Sequence, residues 1–175
     1  PVVAARFGRS ILELGGNNAA IVAPSADIEL VVRGVTFAAA GTAGQRCTTL
    51  RRLITHRSRV DEVLSRLSTA YASLPVGSPL QQGTLVGPLV TTASMDRMLA
   101  AIATGTSDRG SVVVGGTREL TDVAPDAAYV RPAIVQMPAQ TAIVAEETFA
   151  PILYVLTYDE FDEAVALQNG VPQGL

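Results

Sequence analysis

Apolar residues along this chain fall into short continuous runs, separated by segments in which they recur every third or fourth position, with no internal repeat. The runs at 18–23, 50–55, 111–114, 133–136 and 152–157 predict strands, the first of them short and buried. Pro24-Ser25-Ala26-Asp27 supplies cap chemistry for a helix over about 27–40, whose apolar residues surround it so completely that it should be well buried. Ser58 with Asp61 resembles a capping box, and Val60, Val63, Leu64, Leu67, Tyr71 and Leu74 then fall on one helical face while Arg59, Glu62 and Arg66 fall on the other. Beyond a Gly- and Pro-rich loop through Gly87-Pro88, Met95, Met98, Leu99 and Ile102 mark a further helix whose methionine stripe reads as core. A last helix over about 159–168 should pack through Phe161, Ala164 and Val165. Strands separated by helices of this length imply right-handed crossovers, so the predicted fold class is α/β, a mostly parallel sheet flanked by helices.

At 175 residues and 48% hydrophobic content, the chain can bury one core, and its length fits one domain. No apolar run reaches membrane-spanning length, no charged segment followed by an apolar one opens the sequence, and a single cysteine permits no internal disulfide. These features predict a cytoplasmic protein with no membrane partner. The net charge of −3 is spread along the chain, Trp is absent and aromatics make up 5%, so no nucleic-acid partner is expected either. Arg51-Arg52 and the Arg57/Arg59 pair come nearest to a basic patch and read as solvated or salt-bridged groups near a strand end.

All 13 basic residues are arginine. The lack of lysine removes Schiff-base chemistry and the lysine-bearing phosphate loop. With one histidine and one cysteine, no structural zinc site is expected.

The single cysteine lies in Gly41-Thr42-Ala43-Gly44-Gln45-Arg46-Cys47-Thr48-Thr49. A lone cysteine is ordinarily a small core residue. Here Gly41 and Gly44 allow unusual backbone angles and close approach of a ligand, while Gln45, Arg46, Thr48 and Thr49 make a poor apolar wall, so Cys47 reads as a reactive thiol. His56, at the end of the following strand, is one candidate base for it. The other proton acceptor is Glu13, in Leu12-Glu13-Leu14-Gly15-Gly16-Asn17-Asn18. A carboxylate set between leucines is costly to bury in its ionised form, which suits it to general-base work. Strand alternation alone would instead point Glu13 outward and its leucine neighbours inward.

Taken in order, Leu12-Glu13-Leu14-Gly15-Gly16, Gly44-Gln45-Arg46-Cys47 and Glu146-Glu147-Thr148-Phe149-Ala150-Pro151 resemble three motifs of the aldehyde dehydrogenase superfamily. Three motifs in sequence order are far more specific than any one, and the likeness extends over essentially the whole chain. Asn17-Asn18-Ala19, the run 41–53 and Thr148 to Val155 are most similar to the antiquitin-like branch, which oxidises α-aminoadipate semialdehyde in lysine catabolism.

The resemblance implies that residues 1–175 are the thiol-bearing catalytic domain, with an amino-terminal NAD-binding domain and a carboxy-terminal anchoring and oligomerisation segment lying outside this sequence. No glycine-rich dinucleotide fingerprint follows a strand here, which agrees with that expectation. It further implies that Cys47 adds to an aldehyde substrate and Glu13 activates the water that hydrolyses the resulting thioester, with the Cys47 backbone N–H supplying part of the oxyanion site. Glu147, Phe149 and Gly15 would contact the cofactor, NAD with NADP left open, and Arg46 and Thr48 would contact the substrate. The enzyme is expected to be a homo-oligomer. Two other readings stand beside this one: a relative in which coenzyme A rather than water takes the acyl group, and a catalytically silent domain serving only folding or assembly.

Overall fold

The computed structural model describes residues 2–174. Its centre is a five-stranded sheet in the order β1-β2-β5-β4-β3, built from β1 (Asn18–Val22), β2 (Leu50–His56), β3 (Ser111–Val114), β4 (Ala133–Gln136) and β5 (Ile152–Tyr158). The pairs β1/β2, β2/β5 and β4/β5 are parallel, and only the edge strand β3 runs antiparallel to its neighbour β4. All five strands therefore lie where the apolar runs predict them. The fold is the expected mostly parallel sheet flanked by helices.

The helices are α1 (Val2–Ala5), α2 (Ile28–Ala40), α3 (Val60–Ala72), α4 (Thr92–Ser107), α5 (Ala142–Ala145) and α6 (Phe161–Asn169). Asp27 caps α2 through its carboxylate, which accepts from the N–H groups of Glu29 and Leu30 at 2.9 and 3.2 Å. The central strands are buried nearly throughout, Leu53, Ile54, Leu153 and Val155 completely, because both faces of the sheet are covered. On α3, Val60, Val63, Leu64, Leu67 and Tyr71 form the predicted buried face, and on α4 Met95 and Met98 are core.

Three local expectations are corrected. Ser58 and Asp61 form no capping box: residues Arg57–Arg59 make a short 3-10 turn, and the His56 ring nitrogen Nδ1 accepts from the Ser58 N–H at 3.2 Å. Helix α2 is buried on one side only, through Ile28, Val35, Ala39 and Ala40, while Leu30 and Phe37 are each 70% exposed, since the described residues leave that side largely open. Helix α6 buries Ala164 alone among the three residues expected to hold it, and Phe161 lies out in solvent. Its start is fixed instead by a capping box, in which Glu163 accepts from the N–H groups of Asp159 and Glu160 at 2.9 and 3.2 Å.

The long excursion between β3 and β4 is fastened by Arg131, which donates to both carboxylate oxygens of Glu119 at 3.1 Å and to the Leu74 carbonyl at 3.0 Å. Those hydrogen bonds hold the Glu119 pKa below the usual carboxylate range. A depressed pKa contributes stability above the unfolded-state value, near 4.3, and that contribution is lost as the pH falls through the folded-state value. We expect Glu119→Gln to lower stability in urea unfolding at pH 7 by at most about 1 kcal/mol. The difference from the unsubstituted protein should shrink below about pH 4, and a difference constant from pH 7 to pH 3 would remove the ion pair as its cause.

Candidate active site

Three loops that lead into neighbouring parallel strands meet at one end of the sheet: residues 12–17 before β1, 44–49 before β2 and 146–151 before β5. All seven predicted site residues line the open cleft between them, which measures about 550 Å³ and is walled by Glu13, Gly15, Arg46, Cys47, Thr48, Glu147 and Phe149, with Leu14 and Gln45. An adjoining recess of about 710 Å³ shares Glu13, Gly15, Cys47 and Glu147. Ligands of open α/β sheets usually bind beyond the carboxyl ends of the strands, and this cleft lies at their amino ends. A separate apolar recess of about 470 Å³ between α2 and the end of α3 contains none of these seven residues.

The turn that presents the thiol is left-handed. Thr42, Ala43 and Gly44 have φ of 52°, 53° and 68°, whereas Gly41, expected from sequence to supply an unusual angle, has an ordinary φ of −56°. Left-handed backbone at each of the two non-glycine residues costs about 1–3 kcal/mol and needs surrounding structure to hold it. Gln45 does part of that. Its side-chain amide donates to the Thr42 and Pro88 carbonyls at 3.3 and 3.4 Å and accepts from the Val90 N–H at 2.9 Å. Beyond it, half-buried Cys47 is fixed through its carbonyl, which accepts from the Asn18 side-chain amide at 2.7 Å.

The paired glycines before β1 are contact points between the loops. A Cβ on Gly15 would run into the Glu147 carboxylate, and one on Gly16 would run into the Cys47 carbonyl oxygen. The motif Gly15-Gly16 thus lets one loop touch both of the others, and the Gly16 N–H donates to Glu147 Oε1 at 3.2 Å.

The group that joins two of the loops directly, and the third through Glu147, is Arg51, in β2. Its Nη2 donates to the carbonyls of Gly44 and Arg46 at 3.3 and 3.2 Å and to Glu147 Oε1 at 3.1 Å, while Nη1 reaches the Ala150 carbonyl at 3.5 Å. The guanidinium carbon lies 5.6 Å from the centre of the Phe149 ring, a cation–π distance. Burial lowers the Arg51 pKa from its ordinary value, and the Glu147 carboxylate opposes that shift. Its neighbour Arg52 is fully buried with neutral partners only. It donates to the Asn17 backbone and side-chain oxygens, to Gln140 Oε1 at 2.9 Å and to the Leu167 and Gln168 carbonyls at the end of α6. The negative end of the helix dipole stabilises a cation there.

Of the expectation that these two arginines are solvated or salt-bridged, the ion pair holds for Arg51, which meets Glu147, while neither is solvated: both are buried, Arg52 against neutral partners only. The usable signal was their position: Arg51 and Arg52 are adjacent in an apolar run read as a strand, so one must point to each face of the sheet. Glu13 is also differently placed from one expectation. It is exposed, as are Leu12 and Leu14, so it reaches the cleft from an open loop and not from an apolar enclosure. His56 is excluded as a partner for Cys47. It ends β2, roughly 20 Å along the strand from the cleft, where its ring packs edge-on against Tyr158 at 5.3 Å and bonds Ser58. Arg46 lines the cleft, with its guanidinium over the Phe37 ring at 5.6 Å.

Among the described residues no helix is long and apolar enough to cross a membrane. The aldehyde dehydrogenase family model matches residues 2–175. "Aldehyde dehydrogenase family 7 member B4" of Arabidopsis thaliana is 49% identical over 173 residues, which is 99% of this chain and 33% of the plant protein. The bovine (Bos taurus) "alpha-aminoadipic semialdehyde dehydrogenase" is 49% identical over 175 residues, covering 99% of this chain and 32% of the bovine protein. The chain therefore spans about a third of the length of the curated relatives it matches. Among solved structures, an NAD+ complex of aldehyde dehydrogenase from Bacillus cereus superposes with a TM-score of 0.91 at 28% identity, over 99% of this chain and 35% of that one. A betaine aldehyde dehydrogenase from Staphylococcus aureus, in complex with NAD+, gives a TM-score of 0.92 at 26% identity over 98% of this chain and 34% of that one. With a family match over nearly its whole length and three motif loops assembled into one cleft, the chain belongs to the aldehyde dehydrogenase family.

Proposed function

We propose that this chain is the thiol-bearing catalytic domain of a longer NAD-dependent enzyme that oxidises an aldehyde to a carboxylate. The observation that carries the reading is the meeting of Cys47, Glu13, Glu147 and Phe149, from three distant stretches of sequence, on one cleft. In this scheme the Cys47 sulfur bonds to the aldehyde carbon and gives a thiohemiacetal, with the Cys47 backbone N–H supporting the oxyanion. Loss of hydride from that carbon leaves a thioester on Cys47. Glu13 then takes a proton from water, the water oxygen bonds to the acyl carbon, and the carbon–sulfur bond breaks to release the carboxylate.

The residues present fit a nicotinamide ribose. Glu147 commits Oε1 to Arg51 and Gly16, which leaves Oε2 to accept from hydroxyls, and Phe149, 41% exposed at a φ of 55°, presents its ring to the cleft. When bound, the nicotinamide accepts the hydride. Among possible substrates, α-aminoadipate semialdehyde is supported by the names of two relatives and by Arg46 and Thr48 beside the thiol, which can meet a charged substrate end. Glu13 on the cleft favours water over coenzyme A as the acyl acceptor. The same reading makes the longer enzyme a homo-oligomer.

Three measurements on the longer enzyme test this. Cys47→Ala should abolish aldehyde oxidation while leaving NAD affinity within a few-fold, since only the thiol forms the covalent intermediate, and substantial residual turnover would remove the mechanism. Glu13→Gln should keep a pre-steady-state burst of NADH while steady turnover collapses, because hydride transfer precedes water activation. A burst that fell in step with the steady rate would give Glu13 a different task. α-Aminoadipate semialdehyde should be preferred to hexanal by roughly tenfold or more in kcat/KM, the scale of one charge-assisted contact, and equal efficiency would dismiss the assigned substrate.

A further inference from the structure

We infer that Arg51 is a positioning residue: it presets Glu147 so that one carboxylate oxygen is occupied and the other faces the cleft. This inference rests on the reading of Glu147 as a ligand for a ribose diol. A carboxylate on a loop ordinarily samples several rotamers and stays hydrated, and meeting a diol then costs it that freedom. Here Oε1 is shared by Arg51 Nη2 at 3.1 Å and the Gly16 N–H at 3.2 Å, and Oε2 lies over Gly15, where a Cβ would displace it. The Arg51 side chain is 4% exposed, so its grip on Glu147 is little screened by water.

The same nitrogen also bonds the Gly44 and Arg46 carbonyls, and two hydrogens serve three oxygens. Glu147 is thereby registered against the turn that carries Cys47, and the guanidinium beside Phe149 registers the ring as well. A lysine would keep the charge and lose this fork, because its donors radiate from one point and cannot also reach the Ala150 carbonyl.

The test is a double-mutant cycle in the full-length enzyme, read as KM for NAD and, in parallel, as the Kd for NAD from calorimetric titration without substrate, with thermal unfolding as the check on folding. Arg51→Met should raise KM for NAD roughly tenfold or more, the scale of a lost charge-assisted hydrogen bond, while KM for the aldehyde stays within about twofold. In a Glu147→Ala background the same substitution should change KM for NAD less than about twofold, because the group through which Arg51 acts is gone. Arg51→Lys, which keeps the buried charge, carries the same cycle if Arg51→Met does not fold, with an increase between the other two. A rise in Glu147→Ala together with no change in Arg51→Met and Arg51→Lys would overturn the positioning role and leave the Glu147 assignment intact. An Arg51 effect that persists undiminished without Glu147 would also overturn it. An unchanged KM in Glu147→Ala would instead bring down the diol reading, and the inference with it.

Discussion

A single buried guanidinium holds the site together. Arg51 lies where three loops converge, and its hydrogen bonds run to the thiol-bearing turn, to the Glu147 loop and, through the shared carboxylate oxygen, to the Gly16 backbone. Truncating one partner of a buried pair costs about 3–5 kcal/mol, much of it from the charge left behind. Removing Arg51 would strand a carboxylate and three backbone carbonyls together. Removing Glu147 would leave a desolvated cation balanced only by carbonyl dipoles. The left-handed turn at Thr42 and Ala43 persists against its intrinsic preference because its far end is pinned in this way, while Gln45 clamps its near end to the loop before α4.

Placing the cleft at the amino ends of β1, β2 and β5 changes which parts of the chain build it. In the usual arrangement, loops leave the strands and the amino ends of helices point into the site. Here the loops arrive at the strands, so each functional side chain sits just ahead of a buried segment that fixes its position. Cys47 precedes β2 by three residues and Glu147 precedes β5 by five. No glycine-lined helix start is involved, and the glycines have been put to another use, as flat contact points at which the three loops touch.

The strands, the buried faces of α3 and α4 and the lining of the cleft were legible in the sequence because each rests on local information. Apolar runs, periodicity and short motifs carry it, and the three motifs together named the loops that must meet. What could not be read from local pattern was pairing across the sheet. Arg51 and Glu147 are 96 positions apart, and their contact exists only because β5 is inserted beside β2 ahead of β4. Reading Arg51-Arg52 as solvated or salt-bridged caught the ion pair of Arg51 but missed the burial of both, because polarity was weighed above the apolar run around them. The exposure of Leu30 and Phe37 on α2 was illegible for the opposite reason: an all-round apolar helix predicts a cover, and the cover need not lie within the same stretch of chain. Glu13, placed between leucines, pointed to an enclosure that the exposed loop does not form.

Arg52 also ties the end of α6 to the strands and to the cleft. Helix α6 buries little, yet its final carbonyls at Leu167 and Gln168 take up a cation that lies fully inside the sheet and also bonds Asn17, next to the paired glycines. A truncation that removed the last turn of α6 would leave the guanidinium without those acceptors, and the disturbance would pass through Asn17 into the cleft. The last turn of α6 therefore contributes through the negative end of its backbone dipole and not through apolar burial.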